Sequence, residues 1–131
     1  GDPEAQVVLP RLKNDLLDVM ISTVQGEIGS VKFEWDKHTY VGVVIASGGY
    51  PENYKTGYPI SGLDSVDTDT MVFHAGTSLS QNGVVTTSGG RVLTVVTAGE
   101  DIYQARTKTY SSVNNLKFID SYNRTDIGLI P

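Results

Sequence analysis

The stretch HTYVGVVIAS at positions 38–47 constrains the fold more than any other part of this chain. It is apolar, rich in β-branched side chains and closed by Gly48-Gly49, which is how a buried strand reads in sequence. It is also far shorter than the roughly 20 apolar residues of a membrane-spanning helix. A strand this apolar needs partners. Residues 91–97 supply a second run of the same kind, and shorter candidates lie at 58–60, 70–74 and 84–87. Val31, Phe33 and Trp35 alternate with Lys32, Glu34 and Asp36, the period of a half-buried strand. Asn82-Gly83 separates two strand-like runs, and both residues accept positive φ, so a hairpin is expected there.

Around these strands the period changes to that of helices. Asp2 can cap a first short helix, with Pro3 in its first turn and Glu4 at the positive end of its dipole. Pro10 breaks it. A second start follows at Asn14, with Asp15 in its first turn. Leu16, Leu17, Met20, Ile21 and Val24 then share one apolar face, and Gly26 is a natural stop. A late helix is expected over 99–115, with Ile102, Ala105, Tyr110 and Val113 on one side, and the tail is irregular or briefly extended. The fold class that follows is α+β: a mainly antiparallel sheet with a late helix, preceded by two short helices. A chain of 131 residues holds one such domain.

Charge and cysteine content narrow the function. The net charge is −5, and the Lys and Arg residues form no dense basic face, which argues against a nucleic-acid partner. There is no cysteine, so disulfides and thiolate metal sites are excluded and a cytoplasmic location is compatible. His38 and His74 lie too far apart to suggest a metal site, and no Ser-His-Asp arrangement is visible.

Four places can carry chemistry. Gly48-Gly49-Tyr50-Pro51 is either a tight turn or a backbone nest for an anion. Ser88-Gly89-Gly90-Arg91 lets the backbone approach a ligand while Arg91 offers a planar fork for carboxylate or phosphate; a β-bulge with a surface arginine paired with an acid explains it equally well. His74, at a strand end beside Gly76, is a donor or base near neutral pH, or simply structural. Asp2 and Glu4 are helix-start acids that either cap or meet substrate or metal. Arg124 and Asp126 read as a structural clasp. Two non-catalytic classes also fit these residues: a domain that only buttresses a neighbour, or a β-rich module related to biotinyl and lipoyl carriers. Carriers present a lysine at a hairpin tip, and Gln81-Asn82-Gly83 has none.

The segments GDPEAQVVLPRLKNDLL (1–17), VVIASGGYP (43–51), VFHAGT (72–77), SGGRVL (88–93) and RTDIG (124–128) together resemble the C-terminal part of phosphoribosylamine–glycine ligase, an ATP-grasp family also called glycinamide ribonucleotide synthetase. They occur in the family's order and spacing along essentially the whole chain. Asp120 and Asn123 depart from the family's usual Gly and Tyr. The resemblance implies a fragment of the enzyme of de novo purine synthesis that joins glycine to 5-phosphoribosylamine, converting ATP to ADP and phosphate through glycyl phosphate. Residues 1–30 would be the end of the ATP-grasp domain and 31–131 the small C-terminal domain. Mg²⁺ (or Mn²⁺) and ATP would belong to the full-length parent, whose metal ligands would lie upstream of Gly1; this chain would carry no metal ligand and be inactive alone. Its partners would be the remaining ligase domains and the small substrates. By resemblance, Arg91 stabilises charge, and Asp2, Glu4, Ser88, Gly89 and Gly90 approach substrate.

Overall fold

The computed structural model describes residues 1–130 of the chain. Its elements are α1 (Glu4–Val8), α2 (Leu16–Val24), β1 (Thr39–Ser47), β2 (Met71–His74), β3 (Thr77–Leu79), β4 (Val85–Thr87), β5 (Arg91–Gly99), α3 (Ile102–Asn115) and β6 (Ser121–Tyr122). The two apolar runs are β1 and β5, and they pair antiparallel at the centre of a sheet ordered β2-β5-β1-β6. β3 and β4 form a separate hairpin. The α+β class with an antiparallel sheet is therefore the observed one.

The register decides which face each side chain serves. Val41, Val43 and Ile45 lie opposite Thr97, Val95 and Leu93, and all six are buried. α3 covers this face. Its Ala105 and Val113 join the core with Leu116 and Phe118. Thr109 Oγ1 donates to Ala105 O at 2.8 Å and lies 2.8 Å from Thr97 Oγ1, so both buried hydroxyls are paired. Asp101 caps α3 by accepting from Gln104 N–H at 2.8 Å. The helix starts at Ile102 rather than 99, because the ladder holds Thr39 opposite Gly99 and keeps that residue in β5.

The opposite face of the sheet carries Gly42, Val44 and Ala46, and α1 lies on it. A Cβ on Gly42 would stand 2.6 Å from Val7 Cγ2, so the absent side chain is what lets α1 reach the sheet.

Several local expectations are corrected. Residues 31–35 form no half-buried strand. Their partner is the short segment 11–13, which supplies one bridge, Leu12 with Trp35, while Phe33 and Trp35 remain exposed. Residues 58–60 also fall short of a strand. They bond to β4 through Thr87 N–H to Tyr58 O and Ile60 N–H to Val85 O, but Pro59 has no N–H to extend the ladder. The expected hairpin forms as β3–β4, but its loop spans residues 80–84 with only Gly83 at positive φ; Ser80 N–H donates to Val84 O and Val84 N–H to Ser80 Oγ. Asp2 caps nothing, and Pro3 occupies the N-cap position of α1. Asp15, not Asn14, caps α2 by accepting from Leu17 N–H at 2.8 Å; Asn14 bridges Lys32 O and Glu34 N–H instead.

Asp120 is the one non-glycine residue at positive φ (59°) among the described residues. The left-handed conformation penalises a Cβ by about 1–2 kcal/mol, partly relieved for Asp. Glycine's greater unfolded-state freedom offsets some of the gain on removing it. Asp120→Gly is therefore expected to stabilise by about 0.5 kcal/mol, read as a melting-temperature rise of about 2 °C.

Candidate functional site

Three glycine-containing loops converge at one end of the sheet. β1 ends in Gly48-Gly49-Tyr50, β2 ends in His74-Ala75-Gly76, and β5 begins after Ser88-Gly89-Gly90. Gly76 is the junction: its N–H donates to Arg91 O at 2.8 Å, and its carbonyl accepts from Ser88 N–H at 2.7 Å. Ser47, which is buried, holds the third loop. Its N–H donates to Gly90 O at 2.8 Å and its Oγ to Gly89 O at 2.9 Å. Tyr50 lies over Gly90 so closely that a Cβ there would overlap its ring, and Tyr54 packs beside it with ring centroids 6.1 Å apart. Gly90 is buried under this cover, whereas Ser88 is exposed.

The bulge in the β1–β5 ladder sets the direction of Arg91. Ile45 lies opposite Leu93, but Ala46 lies opposite Arg91, so Val92 is the extra residue. Without it, Arg91 would share the α3 face with Leu93 and Val95. With it, Arg91 shares the face of Ala46, where α1 begins. There its Nε lies 3.1 Å from Asp2 Oδ2, and both side chains are partly exposed. The other oxygen, Asp2 Oδ1, is buried without a hydrogen-bond donor. Glu4 is exposed on the next turn. Beside the ion pair is a cavity of 290 Å³ with an apolar floor of Pro3, Gly42, Val44 and Ala46; Arg91, Tyr50 and Arg124 also line it.

His74 is exposed at the end of β2, its Nδ1 3.0 Å from Thr77 Oγ1. The tail is pinned to α3. Arg106 donates to Ile127 O and Thr125 O, and the Tyr110 hydroxyl donates to Arg124 O and accepts from Ile127 N–H. Arg124 and Asp126 form the expected clasp, with contacts of 2.8 and 2.6 Å.

Hydrogen bonding to Arg124 holds the Asp126 carboxyl below its ordinary range. A depressed folded-state pKa stabilises the fold above the unfolded value of about 3.9, and that contribution fades as pH falls through the lower folded value. NMR titration of Asp126 should give a midpoint below about 3.9, and Arg124→Ala should return it to the ordinary range.

The family model described as "Phosphoribosylglycinamide synthetase, C domain" matches residues 40–130. The chain belongs to this family. Curated synthetase relatives agree over nearly its whole length. It is 45% identical over 128 residues to the phosphoribosylamine–glycine ligase of Halalkalibacterium halodurans, covering 98% of this chain and 29% of the relative. It is 44% identical to a bifunctional purine biosynthetic protein of Pichia angusta, covering 97% of this chain and 16% of that protein. The crystal structure of phosphoribosylamine–glycine ligase from Thermotoga maritima is similar at a TM-score of 0.73 and 28% identity, covering 96% of this chain and 30% of that one. The chain thus spans about 30% of the length of the monofunctional synthetase relatives it matches.

Of the residues singled out in sequence, Asp2, Ser88, Gly89, Gly90 and Arg91 meet in this corner of the synthetase domain. His74 lies at its edge. Ser47 was not picked out in sequence, since a serine closing a strand gives no sign that it ties two loops together.

Proposed function

We propose that this chain is a portion of an ATP-dependent ligase that joins glycine to 5-phosphoribosylamine through glycyl phosphate, and that it supplies one wall of the active site. In this reading residues 1–30 end the ATP-grasp domain and 31–131 form the small domain that closes on it. The observation that supports it most directly is the 3.1 Å pairing of Asp2 with Arg91. Two segments distant in sequence, each matching a motif of the ligase family, meet there at a cavity.

The chemistry asks for a fixed cation where carboxylate and phosphoryl charge accumulates. Arg91 suits that role: the bulge aims it, and Asp2 engages its Nε edge, leaving the terminal nitrogens for a carboxylate or phosphoryl oxygen. Asp2 Oδ1, buried and without a donor, suits an ammonium group such as that of glycine. Ser88, Gly89 and Gly90 hold the corner together through backbone bonds, with Ser88 N–H donating to Gly76 O and Ser47 donating to the Gly89 and Gly90 carbonyls. Among the described residues no three of His, Cys, Asp and Glu converge to hold a metal. In this reading Mg²⁺ (or Mn²⁺) and ATP are held by the rest of the parent.

The test is turnover. The 131-residue chain, given ATP, Mg²⁺, glycine and phosphoribosylamine, should form no ADP above the enzyme-free rate, while the full-length ligase turns over under the same conditions. ADP formation by the chain alone would overturn its assignment as one wall of a larger site.

A further inference from the structure

A second pocket lies away from the Asp2–Arg91 corner, between α1, the 35–38 segment and the start of β1. It measures 510 Å³, within the roughly 300–1,000 Å³ typical of small-molecule sites. Arg11, Lys37, His38, Trp35 and Tyr40 line it, with Val7 and Val8 as its apolar wall. On a chain of net charge −5, this grouping of cationic and aromatic side chains is unusual.

The frame around it is fixed. Lys13 N–H donates to Glu34 O at 2.9 Å, Asp36 N–H to Arg11 O at 2.7 Å, and Arg11 Nη2 to Asp36 O at 3.2 Å. The Asp36 carboxylate is taken up by His38, accepting its N–H at 2.7 Å and lying 2.6 Å from its Nδ1. Glu100 stands 3.5 Å from the other ring nitrogen. Arg11 and Lys37 have no carboxylate partner among the described residues, and Arg11 Nε is buried without any acceptor. A buried donor normally has one. Burial raises the pKa of Tyr40, which keeps its hydroxyl protonated and able to donate. Trp35 stacks on Phe33 with centroids 6.4 Å apart and planes at 15°, and both rings are exposed.

We infer that this pocket binds a nucleoside monophosphate, its phosphate held by Arg11 and Lys37 and its base laid against Trp35. The guanidinium fork and the ammonium match phosphate oxygens. A base stacks on an exposed aromatic face with little dependence on base identity, because every base has a π-face.

Trp35 is the single tryptophan of the chain, so its indole N–H resonance reports on this pocket alone. Titrating the 131-residue chain with AMP should shift that resonance saturably, with a Kd below about 1 mM. Adenosine should bind at least tenfold more weakly, and inorganic phosphate should leave the indole unmoved. Lys37→Gln, at an exposed position, should weaken AMP binding at least fivefold; Arg11→Gln should do the same, with far-UV circular dichroism confirming the fold. No saturable shift up to 10 mM AMP, adenosine binding as tightly as AMP, or unchanged affinity in Lys37→Gln would each overturn the assignment.

Discussion

Arg91→Ala in the full-length ligase is expected to lower kcat/KM by about 10²–10³-fold, the range for removing one preorganised charge-stabilising group from a transition state. The fold should survive. Arg91 is an exposed residue at the first position of β5, and the ladder there runs through its backbone. What disappears is a guanidinium that the bulge aims and Asp2 engages. Arg91→Lys should recover only part of the loss, because an ammonium keeps the charge but not the fork. Asp2→Asn separates positioning from charge: it retains a side chain of the same shape but loosens Arg91, and should cost about tenfold, mostly in kcat. Steady-state kinetics on the three variants decide the matter. A change of less than twofold in kcat/KM for Arg91→Ala would remove this residue from the mechanism.

That corner was only half visible in the sequence. The runs that became β1 and β5 were legible because both faces of a central strand are covered, so apolar and β-branched residues dominate both faces rather than alternating with charged ones. The stop at Gly26 was legible too, since a φ of 78° favours glycine. A β-bulge was one of the two readings of Ser88-Gly89-Gly90-Arg91, but its place at Val92 and the side to which it turns Arg91 were not legible. Alternation alone places Arg91 on the α3 face, and only the pairing with β1 shows the slip that turns it toward Asp2. Asp2 was misread for a related reason. A carboxylate before a helix satisfies the local rule for a cap, and the competing partner lies on a strand that no local rule can place. The same limit explains residues 31–35, where the alternation was real but the partner segment was too short to make a strand. Asp120 shows the reverse: the resemblance leads one to expect glycine there, and the backbone is left-handed, a conformation that glycine would occupy freely.

Gly76→Ala should damage the fold most among the substitutions considered. A Cβ at this position would stand 2.6 Å from Arg91 O, 2.7 Å from Gly89 Cα and 2.9 Å from Gly89 N. All three are backbone atoms, so no side chain can rotate away. Relief requires the β2 end and the 88–91 loop to separate, stretching the bonds from Gly76 N–H to Arg91 O and from Ser88 N–H to Gly76 O. Overpacking of this kind costs about 1–3 kcal/mol, and each weakened hydrogen bond adds about 0.5–1.5 kcal/mol. A loss of about 3 kcal/mol is expected, seen in chemical denaturation as a lower midpoint and in heating as a drop of about 10 °C. Gly29→Ala is the matched control. Nothing lies within 4 Å of the Cβ it would add, and its φ is not positive, so stability should stay within about 0.5 kcal/mol. Equal stability of the two variants would mean that the three loops can part freely. The corner would then not be rigid enough to hold Arg91 for catalysis.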